Sequence, residues 1–216
     1  MKISGAIFDL DGTLIDSMAI WDDIAYNFIV SKGVDPKPDL RDRVATMFLN
    51  ESAEYIVNEY QLDCTPQDFK SYAEAQIEDF YFNTVPPKRD AKEFLARLRA
   101  DGVKMCIATA TERKLALPAL KRNGMLEYFD TVFSCAEIGI SKKSPEIFEL
   151  ALKHLGTPKS ETFVFEDSYH AINTAAKAGF PVIAIADKSA ANHERKIRAE
   201  STKFIENYSE LKGFWE

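Results

Sequence analysis

The sequence predicts an α/β protein: a doubly wound parallel sheet with a Rossmann-like core, interrupted after its first strand by an all-helical insertion. Three observations predict it. Short apolar runs alternate with helical patterns through most of the chain. Those runs carry β-branched and aromatic residues with little polar interruption, as strands buried on both faces do. Between residues 17 and 86 the alternation stops and only helical spacing is left.

In chain order, residues 3–8 form the first apolar run and lead directly into an Asp-rich turn. Three helical stripes follow: Ile20, Trp21, Ile24, Ala25, Phe28 and Ile29; then Ala53, Ile56, Val57 and Tyr60; then Phe69, Tyr72, Ala73, Ile77 and Phe80. Pro36 and Pro38 punctuate them, and Thr65-Pro66 is a helix start signal. Pro86-Pro87 closes the block. Beyond it, strands at 103–108, 131–134, 162–165 and 181–186 alternate with helices marked by Ala91, Phe94, Leu95 and Leu98 and by Ile147, Phe148, Ala151, Leu152 and Leu155. Gly102, Gly124, Gly156 and Gly179 each follow a helical stretch, where a left-handed cap favours glycine. The expected division is a core of residues 1–16 and 87–216 and a helical cap of residues 17–86.

Composition bounds the function. With 46% apolar and 28% charged residues among 216, the chain is too apolar for a disordered protein and ordinary for a globular one. A net charge of −7 argues against non-specific binding to nucleic acid or to an anionic membrane, both of which need a concentrated positive field. Cys64, Cys106 and Cys135 are far apart and odd in number, and with His154, His170 and His193 they form no zinc-ligand spacing. The start reaches Asp9 too soon to hold the apolar core of a signal peptide, and no run approaches the roughly 20 apolar residues of a membrane span. We expect a cytoplasmic protein, a monomer or weak oligomer, with neither nucleic acid nor membrane as partner.

The chemistry is concentrated at predicted strand ends. Asp9 and Asp11, two apart at the end of the first strand, can face the same space. That edge is where open parallel sheets bind ligands. Adjacent carboxylates repel each other, and a divalent cation is the usual compensation. An Asp-x-Asp alone is equally a turn before Gly12. The second strand, however, runs into Thr109-Ala110-Thr111, Lys142 precedes a helix, and the fourth strand ends in Glu166-Asp167-Ser168. A hydroxyl, an ammonium and a second carboxylate pair in such places are the parts of a phosphate-and-metal site.

In these motifs the sequence resembles the haloacid dehalogenase superfamily of phosphotransferases, in the branch with a helical cap inserted after the first motif. The resemblance implies a Mg²⁺-dependent hydrolase of a small phosphate ester. It makes Asp9 the nucleophile and a metal ligand, and Asp11 a general acid/base that also offers its backbone carbonyl to the metal. Thr109, the Ala110 N–H and Lys142 would hold the phosphoryl oxygens. Asp167 would ligate the metal, with Glu166 a second ligand or a partner of metal-bound water.

Departures from the family pattern narrow the activity. Asp11 disfavours dehalogenase and phosphonate hydrolase chemistry, since those branches lack it. Trp21 stands where sugar-phosphate mutases of this branch often have histidine, and Thr46-Met47-Phe48-Leu49-Asn50-Glu51-Ser52 carries neither the basic residue nor the glycine of their cap loop. A phosphatase is therefore expected, with a mutase as the alternative and a non-catalytic phosphate-binding module behind it. Pro87-Lys88 replaces the usual Pro-Gly at the cap exit, and Lys142-Lys143 the usual Lys-Pro; both read as drift in supporting turns. Lys143, His170 and the run 193–198 read as solvated surface. Trp21, Phe48 and Phe80 read as core more readily than as cavity lining.

Overall fold

The computed structural model describes residues 2–44, 47 and 49–215, with the side chains of residues 21, 22, 41 and 42 left out. The chain forms two compact units, residues 1–16 with 85–216 and residues 17–84. In the larger unit six parallel strands form one sheet: β1 (Gly5–Phe8), β2 (Lys104–Thr109), β3 (Val132–Ser134), β4 (Thr162–Glu166), β5 (Val182–Ile185) and β6 (Lys203–Ile205), in the order β3-β2-β1-β4-β5-β6. The doubly wound sheet expected from the sequence is therefore present. The sequence reading did not find β6, a short edge strand with two half-buried residues.

Strand parity assigns the two faces. Ile7, Cys106, Val164 and Val182 lie in one buried cluster with Ile147, Phe148, Ala151 and Leu155 of α8 (Glu146–Leu155) and Ala171, Ile172 and Ala175 of α9 (Tyr169–Lys177). Phe8 and Phe165 turn the other way and stack at 4.2 Å. Phe94 of α5 (Ala91–Ala100) and Tyr208 stack with each other at 5.0 Å on that side. Burying each such ring is worth about 2–3 kcal/mol. Gly156 ends α8 at φ +63°, as a left-handed cap requires.

This strand order puts β1 between β2 and β4. The chain builds outward on one side of β1, then returns to build on the other. That switch of direction leaves a crevice at the carboxyl ends of β1 and β4.

The smaller unit is helical: α1 (Ala19–Ser31), α2 (Leu40–Val44), α3 (Leu49–Glu59), α4 (Pro66–Asp79) and a π-helical turn, Phe80–Thr84. Phe28 meets Phe69 edge-on at 5.1 Å, and the stripes at 53–57 and 69–77 add buried residues to its core, as do Ile24, Ala25 and Ile29. Thr65 caps α4 reciprocally with Asp68.

The segments that leave and re-enter the larger unit run beside each other. The Asp16 N–H donates to Pro86 O and the Lys88 N–H to Leu14 O, both at 2.9 Å. Arg122 and Asn123 both donate to the Val85 carbonyl. Lys88 is no drifted turn residue. Its Nζ reaches Asp187 Oδ2 at 2.7 Å and Asp16 Oδ1 at 3.6 Å, and donates to Ala186 O at 3.3 Å. Burial pushes the Asp187 carboxyl up, but Lys88 and Ser189 together hold it below the usual carboxylate range.

Candidate active site

The site is built from strand ends. The Asp9 N–H donates to Phe165 O at 2.9 Å, one ladder step past the end of β1, which fixes Asp9 beside the end of β4. The chain then turns tightly, with Leu14 N–H donating to Leu10 O and Gly12 N–H to Ile15 O. Gly12 sits at φ +76°, and a Cβ there would lie 2.5 Å from Asp167 Oδ2. Only glycine lets this backbone pass so close to a carboxylate. The Thr13 hydroxyl donates to Asp167 Oδ1 at 3.1 Å, and the buried Tyr208 hydroxyl donates to Thr13 O at 3.1 Å.

On β4, Glu166 is the last strand residue and Asp167 the next. Glu166 Oε1 accepts from the Ser168 N–H at 3.1 Å, and Oε2 accepts from Lys142 Nζ at 2.7 Å. Lys142 arrives from the turn before α8 and also donates to Asp9 Oδ1. One ammonium thus bridges the first and fourth strands. Asp9, Glu166 and Asp167 are all buried, and a ligand oxygen from each lies within 4.8 Å of the others.

Three carboxylates against one ammonium leave negative charge in excess. Burial, then the neighbouring Glu166, push the Asp9 carboxyl up to about 8, with Lys142 opposing. Burial also carries Asp167 well above the usual carboxylate range, with Glu166, Asp9 and Asp187 adding to it. Lys142 is held firmly protonated: burial pulls its pKa down, and Asp9 and Glu166 more than reverse that. Buried hard oxygen donors carrying surplus negative charge suit a small divalent cation such as Mg²⁺. Asp9, Glu166 and Asp167 are the side chains that could hold it.

A carboxyl titrating near 4 when unfolded and near 8 when folded binds more protons in the folded state across that interval. Its contribution is full below about 4 and is lost as pH rises through about 8. In EDTA the melting temperature should fall between pH 5 and pH 8. Mg²⁺ should raise it more at pH 8 than at pH 5, because the ligands must be deprotonated. Equal Mg²⁺-induced shifts at the two pH values would count against this cluster as the metal centre.

Asp11 is half-buried and its carboxylate is not in the three-carboxylate cluster; Oδ2 accepts from the Thr111 hydroxyl at 2.5 Å. Thr109 is fully buried at the end of β2, its Oγ accepting from the Thr111 N–H at 3.0 Å, and Ala110 beside it is exposed. Lys143 and His170 are exposed, and His170 lies against the rings of Tyr169 and His193. In the run 193–198 only Ile197, on α10 (Glu194–Glu200), is buried. Phe80 is half-buried. The Trp21 side chain lies outside the described residues, as do Thr46 and Phe48. Among described residues no helix is long and apolar enough to cross a membrane.

Sequence reasoning gave no role to Thr13, Thr111, Tyr208 or the Lys88–Asp187 pair. The available signals were slight: Thr111 shares strand parity with Thr109, and Lys88 breaks a family pattern.

Comparison with known proteins agrees with this architecture. The family model for haloacid dehalogenase-like hydrolases matches residues 6–185. A phosphorylated carbohydrates phosphatase of Thermotoga maritima is 24% identical over 177 residues, covering 82% of each chain. A candidate β-phosphoglucomutase from the same organism superposes with a TM-score of 0.84 at 21% identity, over 99% of this chain and 98% of its own. A Bacillus subtilis hydrolase solved with bound magnesium gives 0.78 at 16% identity, over 100% and 99%.

Proposed function

Because this chain belongs to the haloacid dehalogenase-like hydrolases, we propose that it is a cytoplasmic phosphatase that hydrolyses a small soluble phosphate monoester through a phosphorylated Asp9. The observation that carries the reading is the Lys142 ammonium shared by Asp9 and Glu166, beside Asp167. It supports the reading because a carboxylate, a fixed cation and a group of buried oxygen donors stand together at the carboxyl edge of a parallel sheet.

Asp9 Oδ attacks the phosphorus, and the ester oxygen leaves with a proton from Asp11. Water then attacks the phosphorus, the Asp9 Oδ–phosphorus bond breaks to return the carboxylate and release phosphate, and the water proton passes to Asp11. Lys142 and the Thr109 hydroxyl stabilise charge on the equatorial oxygens, and the Ala110 N–H adds a donor. The Thr109 lone pair taken by the Thr111 N–H leaves its hydroxyl proton free to donate. Bound Mg²⁺ would offset the repulsion between the Asp9 carboxylate and a phosphate dianion.

The test is a screen of phosphate esters, including phosphorylated sugars, nucleotides and phosphoglycolate, with Mg²⁺ and with EDTA, read as kcat/KM. Sustained phosphate release in Mg²⁺ alone is the expected result. Turnover of a hexose 1-phosphate that depends on a bisphosphate primer and releases little phosphate would make the protein a mutase. A single stoichiometric burst, or none, would leave it a phosphate-binding module.

A further inference from the structure

Ser134 ends β3 and stands at the N-cap of the short helix Cys135–Ile138. A serine in that place ordinarily accepts a backbone N–H of the helix it caps, but this side chain makes no such bond. The residue is 1% exposed, and its hydroxyl has no hydrogen-bond partner among the described residues. Buried hydroxyls are nearly always bonded, and an unmet one destabilises the fold.

The neighbouring strand offers a partner. In the parallel ladder of β2 and β3, Thr109 stands opposite Ser134, one step past Ala108 opposite Phe133. In-register residues of adjacent strands point to the same side of the sheet, and the strands run about 4.8 Å apart. Each Oγ is one bond from its Cβ, so a turn about the Ser134 Cα–Cβ bond can bring the two hydroxyls within hydrogen-bond reach. Thr109 Oγ has room for that donor. The Thr111 N–H takes one of its lone pairs, at 3.0 Å, and a hydroxyl oxygen has two.

We propose that Ser134 is the positioning residue for Thr109: its hydroxyl donates to the remaining lone pair of Thr109 Oγ and so aims the Thr109 hydroxyl proton at the bound phosphoryl group. The proposal rests on the reading of Thr109 as a phosphoryl ligand. A hydroxyl oxygen has three directions besides its bond to carbon. With two of them taken by donors, the proton is left with one. A donor held in this way gives up no rotational freedom when phosphate binds.

The experiment measures inorganic phosphate binding in Mg²⁺ by calorimetry, and thermal melts without phosphate, for wild type, Ser134→Ala, Thr109→Val and the double variant. Ser134→Ala should bind phosphate about 3–10-fold more weakly, the worth of one hydrogen bond. Without phosphate it should melt about 2 °C higher than wild type, because the unmet hydroxyl is gone. A serine with only a structural role would leave phosphate affinity unmoved. In the Thr109→Val background Ser134→Ala should add nothing to the loss of affinity, since no Oγ is left to accept.

Wild-type affinity in Ser134→Ala, beside a weakened Thr109→Val, would overturn the positioning role and leave Thr109 as a phosphoryl ligand. A further loss from Ser134→Ala in the Thr109→Val background would also overturn it, by giving Ser134 a contact with phosphate of its own. Wild-type affinity in Thr109→Val, or no phosphate binding by the wild type, would remove both the role and the reading beneath it.

Discussion

Replacing Asp9 with asparagine should abolish turnover, by on the order of 10⁴-fold or more, while the fold survives. Removing a nucleophile typically costs that much, because the two-step route closes and no other group stands at the same point. The change keeps shape and hydrogen-bonding reach but removes a charge that the site holds at a disadvantage, as the raised carboxyl pKa indicates. The metal-free variant should therefore melt no lower than wild type at pH 8, and Lys142 keeps Glu166 as its partner. The checks are steady-state phosphate release, thermal melts in EDTA and mass spectrometry against deamidation. Wild-type activity in an undeamidated sample would end the covalent mechanism.

Asp11→Asn should slow both steps, by about 10²–10⁴-fold for alkyl esters. The two steps separate with p-nitrophenyl phosphate. Its leaving group departs without an acid, so Asp9 is still phosphorylated, but the water that must attack next has lost its base. The expected trace is a burst of p-nitrophenol near one per protein, then a slow steady state, with phosphate trapped on acid-quenched protein. Equal rates for variant and wild type on both ester types would return Asp11 to the role of a turn residue.

What the sequence disclosed and what it hid divide along physical lines. Strands buried on both faces reveal themselves as unbroken apolar runs, so β1, β2, β4 and β5 were legible to within two residues. An edge strand such as Lys203–Ile205, with one buried residue of three, leaves no such trace. The π-helical turn at Phe80–Thr84 changes the residue period for a single turn, too briefly for a pattern to register. Asp9, Lys142, Glu166 and Asp167 were candidates because each stands at a strand end or helix start, and a sheet's topology brings such places together. The bonds from Thr13 to Asp167 and from Thr111 to Asp11 join residues 154 and 100 positions apart. Threonines are common on turns, so nothing local singles these two out. Lys88 is the instructive miss: a departure from a family pattern read as tolerance turned out to hold a buried Asp187.

The paired chain segments at residues 14–16 and 86–88 bear on how such a protein can be rebuilt. Their mutual hydrogen bonds, Asp16 to Pro86 and Lys88 to Leu14, are those of neighbouring strands. The points where residues 17–84 begin and end are thus spaced like the two arms of a hairpin, and a tight turn can join such arms directly. An Asn-Gly pair joining residue 16 to residue 86, which face each other across these bonds, would be a turn of that length. The same two junctions would accept a foreign helical module, so the sheet with its buried carboxylates can serve as a chassis for interchangeable inserts.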